Sequence, residues 1–522
     1  MKELQQLLVN DGLRRRESLA WLPPISSFTS SIDQKDAWEE LRMELHSNGI
    51  TAVMLQDKKE EIFRLFRTTS VLSLDGRTNN DVVQMPEMIP ESSTLHEAAQ
   101  EGHVGVVELL LDRGANVNAL NGKSWTAIHL AAQKGHIAVV SALLERGARV
   151  DAVTESNSTA LHKAARKGHS EVVQVLLEKG ATPDASDKNN WTALHRAAIE
   201  GHSEVVEVLL RKGATPDALA RHNWTPLHVA AQNGHSEVVK VLLERGATPD
   251  ALANGNYTAL HFSATYGHSD VVKVLLEKGA TPDASDKYNW TALHCAAKEG
   301  HSEAVEVLLR KGATPDALAR DNWTPLHIAA QNGHSEVVKV LLETGATPNA
   351  LANGKFTALH SAASYGHSET VRVLIEKGAN PNVSGKGNWT LLHFAAQLGH
   401  SEVVKVLLDN GTNPNTLSHH NWTPIHVAAQ HGHSEVVRIL LNRGGIVDTV
   451  GEISWTALHL AVGKFQIEVA KVLLQNGANA SLRTKKGETA LDIAFRLGWV
   501  PGVELLRAHI GKIAELTYLL TL

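Results

Sequence analysis

Histidine is the residue on which any chemistry in this chain would have to rest, because the 522 residues hold 29 histidines and a single cysteine, Cys295. Three of them, His419, His420 and His431, lie close together, and neutral imidazoles can hold zinc or copper. No carboxylate or cysteine adjoins them in the sequence, so they are weak metal candidates against a plainer reading as exposed polar side chains. His96-Glu97-Ala98-Ala99 opens like the zinc-protease pattern H-E-x-x-H, but Gln100 stands at the second histidine. Gly122-Lys123-Ser124 imitates the end of a phosphate loop, with Val117 where its first glycine belongs. No G-x-S-x-G elbow is present, and Cys295, next to a histidine but with nothing to activate its thiolate, reads as a half-buried packing residue. The expectation is a protein that is not an enzyme and takes no cofactor.

The spacing of the histidines says what they are for. A T-x-L/I-H tetrad ends at His96, His129, His162, His195, His228, His261, His294, His327, His360, His393, His426 and His459, at a constant 33-residue spacing, and Asp492 takes the thirteenth place. A residue that recurs in every unit belongs to the unit's internal bonding, not to one active site. Residues 191–289 and 290–388 agree at 78 of 99 positions, so the array also grew by copying three units at once.

One unit can be built from its residues. Thr225 is a good helix N-cap and Pro226 suits the first helical position, where a missing N–H is free of cost. Leu227, Ala230 and Ala231 give the helix an apolar face, and Gly234 supplies the left-handed residue that stops it. Ser236 and Glu237 then start a second helix whose apolar positions keep helical spacing until Gly246. The A-T-P-D-A-L-A stretch that follows is extended, with Pro249 fixing φ, and forms an arm to the next hairpin. No unit can bury its own apolar face, so the units must stack.

The unit N-W-T-A/P-L-H-x-A-A-x-x-G-H-S-E-V-V-x-V-L-L-x-x-G-A-T-P-D-A resembles the ankyrin repeat family at nearly every position, over about residues 88–516. The resemblance implies an all-α solenoid of helix-turn-helix units with projecting β-hairpin-like arms, and a ligand surface formed by the concave groove and arm tips. On that surface falls the residue before each tetrad threonine: Trp125, Trp191, Trp224, Tyr257, Trp290, Trp323, Phe356, Trp389, Trp422 and Trp455, interrupted by Ser158. These aromatics either anchor an interface or stiffen the arms by packing, and the two roles are compatible. Beside them stand the tip charges Lys188, Arg221, Lys287 and Arg320, and the pre-turn residues Glu200, Gln232, Asn233, Tyr266, Glu299 and Gln331. The candidate partner-binding set is Trp191, Trp224, Tyr257, Trp290, Trp323, Phe356, Trp389, Trp422, Arg221, Arg320, Tyr266 and Glu299.

The ends of the chain depart from the pattern. Repeat twelve loses its Gly-His turn (A-V-G-K-F-Q), and repeat thirteen, with Asp492, reads as a C-terminal cap followed by a tail, 517–522. Residues 68–87 read as a linker and residues 1–67 as a small helical region, in which Trp38, Leu41 and Leu45, then Ile62, Leu65 and Phe66, keep helical spacing. Its W-x-x-L-x-x-E-L…G-I-T pattern looks like the short helical segment that precedes the arrays of some fungal ankyrin proteins.

Composition narrows the function. A net charge of −6 offers no general attraction to nucleic acid or an anionic membrane. One cysteine excludes an intrachain disulfide framework. Neither a signal peptide nor a membrane span is visible. N-x-T sequons at Asn157, Asn190, Asn223, Asn256, Asn289, Asn322, Asn388 and Asn421 would crowd the groove with sugar in a secreted protein. The expectation is a cytoplasmic or nuclear scaffold or adaptor that binds a protein or peptide, with no nucleic acid or membrane partner. Alternatives are a regulatory component of a fungal signalling, self-recognition or gene-cluster pathway and, more remotely, a small-molecule-handling protein.

Overall fold

A computed structural model describes residues 91–521, Lys355 apart. The N-terminal helical region and the linker expected over 1–67 and 68–87 lie outside the described residues. Ile89–Leu522 forms one compact unit, and within it 26 α-helices follow one another as thirteen pairs, with no named strand among the described residues. Repeats are numbered here from the pair that holds His96.

Repeat five shows how the sequence makes one pair. The first helix, Pro226–Gln232, starts on Thr225, whose backbone is extended and whose hydroxyl oxygen accepts from the His228 N–H. Its apolar face, Leu227, Ala230 and Ala231, is fully buried. Gly234 turns the chain at φ +77, and the second helix runs Ser236–Glu244 with Val238, Val239 and Leu242 buried. The residue capping that helix is His235, not Ser236, and no side-chain cap bond is made there. Gly246, at φ +94, closes the second helix and returns the chain to the arm. Alanines on the first helices allow close approach, and that row packs more extensively from repeat to repeat than the row of second helices. The apolar side chains of all thirteen repeats join into one continuous core.

The arms are tight loops closed by paired backbone bonds. In repeat five the Ala220 N–H donates to the Trp224 carbonyl at 2.8 Å. Asn223 sits at φ +59 and its equivalents from Asn157 to Asn421 are likewise left-handed, which asparagine tolerates. Arms also bond to each other: Arg221 N–H to the Asn189 carbonyl, Asn254 to His222, Lys287 to Gly255, Arg320 to Tyr288 and Asn353 to Asp321. Short bridges such as Ser186 to Thr192 are the β-like remnant of the expected hairpins.

The ends correct several expectations. In repeat one the cap position holds Ser93, not threonine, and the helix begins upstream at Glu91. The segment expected to be a C-terminal tail, 517–522, is helical through Thr521, because the last second helix runs Val500–Thr521 without a glycine stop at the usual place. In repeat twelve Phe465 takes the turn position of glycine at φ +61, and its ring meets Trp499, which stands at the turn-histidine position of repeat thirteen. Among the described residues, no helix is long and apolar enough to cross a membrane.

The turn glycine answers two demands. Besides the positive φ, a Cβ on Gly234 would lie 2.7 Å from the ring of His268 in the next repeat, whereas one on Gly246 meets nothing within 4 Å. Gly234→Val should therefore lower stability by more than about 2 kcal/mol, and Gly246→Ala, with φ strain alone, by about 1 kcal/mol. Thermal melts followed by circular dichroism compare the two. Equal losses would mean that the neighbouring imidazole is not what requires glycine.

Candidate functional site

The tetrad histidines are the first site to account for. In repeat five the Thr225 N–H and hydroxyl both approach His228 Nδ1, at 3.1 and 2.8 Å, so Nδ1 is the acceptor and the ring proton sits on Nε2. That Nε2–H points out of the repeat and donates to the next arm, to the carbonyls of Ala251 at 2.9 Å and Tyr257 at 3.2 Å. The same bond joins His162 to Trp191, His195 to Trp224, His261 to Trp290, His294 to Trp323, His327 to Phe356, His393 to Trp422 and His426 to Trp455. His360 is an exception, its buried Nε2 finding no acceptor. Burial holds these imidazoles neutral: His129, His195, His228, His294, His360 and His426 are held down to about 4, and His162, His261, His327, His393 and His459 are lowered for the same reason.

The turn histidines bond backwards. His268 Nε2 donates to the Gln232 carbonyl of the preceding repeat at 3.0 Å, and His235, His301, His334 and His367 do the same to Ile199, Thr265, Lys298 and Gln331. A third tie was legible as a fixed offset but not recognised: the Thr of each T-P-D bonds the Asp of the preceding one. Thr248 donates through its N–H and its hydroxyl to Asp217, at 3.0 and 2.6 Å, and Thr215, Thr281, Thr314 and Thr347 repeat the arrangement.

The aromatic positions occupy the next layer. Trp191, Trp224, Tyr257, Trp290, Trp323, Phe356, Trp389 and Trp422 are all half-buried, each covering the tetrad imidazole of its own repeat with ring centroids 5.4–6.4 Å apart. Trp290 and Trp455 pack directly against the apolar core. The rungs are joined by residues that sequence reasoning passed over, those following the tetrad histidine. Phe262 lies between Trp224 (4.7 Å) and Tyr257 (5.7 Å), and Phe394 between Phe356 (6.0 Å) and Trp389 (5.6 Å). Lys163 sits 4.3 Å from the Trp125 ring and Arg196 5.1 Å from that of Trp191. Arg196 also pairs with Asp187, whose burial would raise its carboxyl but which that guanidinium and two backbone N–H groups hold below its usual range.

Outside this layer the side chains are free to vary. Arg221 and Arg320 are exposed on arm tips, and Arg221 donates to the Lys188 carbonyl. Tyr266 is 51% exposed and accepts from Gln232 Nε2 at 3.1 Å, while Tyr365, three repeats on, accepts from Gln331 at 2.9 Å. Glu299, before the turn glycine of repeat seven, pairs with its neighbour Lys298.

Cys295 is buried, not half-buried, and burial pushes its thiol up to about 12, which leaves no thiolate for chemistry. The three histidines of repeat eleven are not gathered. His419 and His420 stand together on the tip, with centroids 5.4 Å apart, and His420 meets Glu452 of the next arm at 2.7 Å. A carboxylate is thus present that sequence proximity did not show. His431 instead bonds the Val427 carbonyl and stacks on His433. Among the described residues no three His, Cys, Asp or Glu side chains are placed to hold a metal.

Stacked helical hairpins, most of them capped by a histidine that bonds the next arm, define a solenoid repeat protein. Models of ankyrin repeats in three-copy blocks match residues 95–187, 181–253, 249–319, 314–385 and 383–450, and a single ankyrin repeat matches 454–485. The chain belongs to the ankyrin repeat family. It is similar to the human ASB11 ankyrin repeat domain seen in a crystal structure, at 34% identity and a TM-score of 0.39 over 42% of this chain and 98% of that one. No curated protein matches it.

The neutral histidines make stability depend on pH with a definite sign. Unfolded, these imidazoles take up protons near pH 6.5; folded, the deepest resist until about pH 4. Between those values the unfolded chain binds more protons, so stability is complete above about pH 6.5 and drains away as pH falls toward 4. Melting temperature measured at half-unit steps from pH 8 to 4 should be flat and then drop steeply below 6.5. A flat profile down to pH 4.5 would contradict the neutral-imidazole arrangement.

Proposed function

We propose that this chain is a non-enzymatic scaffold or adaptor that captures a protein or peptide through the groove and arm tips of its array. Family membership supports an interaction role in general, and one observation carries the finer reading. The recurring cap threonines, the tetrad histidines but for His360, the turn histidines and the Thr–Asp pairs of the arms are consumed by bonds within and between repeats, whereas the exposed tip and pre-turn positions differ from repeat to repeat. Specificity therefore has to reside in Arg221, Arg320, Tyr266, Glu299 and their neighbours. The half-buried rings of Trp191, Trp224, Tyr257, Trp290, Trp323, Phe356, Trp389 and Trp422 supply the apolar floor between them, with aromatic anchors rimmed by charge as in an interface core.

The proposed location is cytoplasmic or nuclear. A single buried free thiol suits a reducing compartment. The sequons are poor glycan acceptors in the fold, because Thr192, Thr225, Thr291 and Thr324, their third residues, are buried in the helix caps. Intact mass of the protein from its native source should show no glycan on these asparagines; glycan mass there would remove the assignment.

The binding reading is tested by affinity capture with the wild type and two variants, followed by titration of the captured partner. Arg221→Glu with Arg320→Glu should weaken binding tenfold or more and leave the melt nearly unchanged, since among the described residues neither guanidinium has a carboxylate partner and Arg221 makes one exposed bond, to the Lys188 carbonyl. Trp224→Ala with Trp323→Ala removes two rungs, one of them the ring against Phe262, so it should lower the melt as well as binding. A binding loss beyond that explained by the unfolded fraction identifies interface anchors. Full binding by both variants would remove the groove and tips as the site.

A further inference from the structure

Among the described residues three buried side-chain atoms find no hydrogen-bond partner, His360 Nε2, Thr370 Oγ1 and Thr412 Oγ1, and all three belong to repeats nine and ten. Thr370 is a hydroxyl where the repeats on either side place Val337 and Val403, and Thr412 is one where the two repeats before it place Ala346 and Ala379. Unsatisfied polar groups thus gather at one place in the stack, around the ninth interface.

The ties between repeats fail at the same place. At every other interface the tetrad imidazole donates to the next arm, but His360 does not reach Trp389. The tie between arms joins Thr347 to Asp316 and, in a variant form, Asn380 to Asn349 and Ile446 to Asn415. Among the described residues it has no counterpart between Asn413 and Asn382, which stand in the same register and bond within their own arms, to Asn415 and Asn380. On the second helices Lys377 pairs with Glu343 and Arg443 with Asp409, yet the position between them holds Asn410, which bonds its own helix at Val406. Single ties are missing elsewhere, as where Thr344 replaces the cation between repeats seven and eight. The tetrad bond, among the described residues, is lost at the ninth interface alone.

What the described residues keep there is a tie from His400 Nε2 to the Ser364 carbonyl, at 3.0 Å, and apolar contact. Leu391 stands where repeats two to thirteen otherwise place Ala or Pro, and Phe394 on the same helix meets the rings of Phe356 and His360 at 6.0 and 5.9 Å. Apolar contact is non-directional, so faces held by it rock against each other more readily than faces locked by hydrogen bonds. His360 breaks no Nε2 bond when the interface opens, and opening admits water to it.

We infer that the ninth interface is a hinge built into the array, at which repeats ten to thirteen rock as one block against repeats one to nine. In a stack whose units touch only their neighbours, the weakest interface decides where the array bends. The hinge divides the groove, with the rings from Trp191 to Phe356 on one side and Trp389 and Trp422 on the other, so the two parts meet a partner at more than one angle. The inference does not depend on what the groove binds.

The test places pairs of spin labels three repeats, about 30 Å, apart on the full chain and reads their distances by pulsed electron resonance. The labels sit at exposed acids of the second helices. Glu336→Cys with Glu435→Cys spans the ninth interface; Glu204→Cys with Glu303→Cys does not, and serves as the control. Cys295 is buried and stays unlabelled. The spanning pair should give a distance distribution about twice as wide as the control, with helical circular dichroism unchanged. Asn382→Asp, Asn413→Thr and Asn410→Lys restore residues that other repeats carry at those places. Together they should narrow the distribution to the control width and raise the melting temperature. Equal widths in the unrepaired chain would overturn the hinge. A wide distribution that the repair leaves unchanged would also overturn it, since the missing ties would not be its cause. Width accompanied by loss of helix would show that the last repeats unfold instead of rocking, and would overturn it too.

Discussion

A neutral imidazole shared between two repeats is the interaction on which the array depends. His228 accepts from its own cap threonine through Nδ1 and donates through Nε2 to the next arm. The start of each first helix is thus satisfied from within, while the ring's second nitrogen is satisfied only when the following repeat is in place. A buried donor without its acceptor costs about 1–3 kcal/mol, so neighbouring repeats stabilise one another through polar groups as well as apolar area. The acceptor lies a fixed distance along the chain, in most repeats 29 residues on, and this explains the strict 33-residue spacing: one inserted residue between ring and carbonyl would leave both buried and unpaired. The last repeat shows the rule by exception. Among the described residues no further arm stands beside it to receive an Nε2–H, and Asp492 provides the acceptor for Thr489 without a donor to strand.

The turn obeys the same logic in the opposite direction. The turn histidine bonds back to the preceding repeat, and its ring fills the space where a side chain on that repeat's glycine would be. Glycine and histidine are therefore one device split across two repeats; at the eleventh interface the histidine alone changes, to Gln466 beside Gly432. At the twelfth interface both do: Phe465 replaces glycine and Trp499 replaces histidine, giving an edge-on ring contact in place of a hydrogen bond. Phe465 retains a left-handed backbone that a large side chain disfavours, so this junction is held by packing against strain.

Much of the fold was legible in the sequence because stacking repeats the same local problem thirteen times. The cap at Thr225, the stop at Gly234 and the buried Leu227, Ala230 and Ala231 follow from propensity and periodicity within one unit. Ties between units were harder to see. The Thr248–Asp217 bonds lie 31 residues apart, and the recurrence of T-P-D showed that both residues matter without showing that they meet across an interface. The long last helix was missed because its stop signal is absent from the usual place and nothing local replaces it. Of the candidate site, the aromatic and tip positions were visible as a register. The depth of the rings was not, since half-burial over His195 or His228 depends on how one arm lies against its own first helix. Phe262 and Phe394 escaped notice because phenylalanine follows the tetrad histidine in only two repeats, and periodicity reveals only what recurs.

That limit also separates framework from recognition. A residue present in every repeat contributes the same bond everywhere and cannot tell one stretch of a partner from another. A residue present in one or two repeats, such as Phe262, can shape a local site but cannot set a spacing. Only features with a period longer than one repeat can do that, and one shows in the arms, where Ser186, Ser285 and Ser384 bridge to their own cap threonines every third repeat. Exposed leucines and valines fill that arm position in the other two repeats of each three from Leu120 to Val450, and it is there that an external, spaced ligand has the most to read.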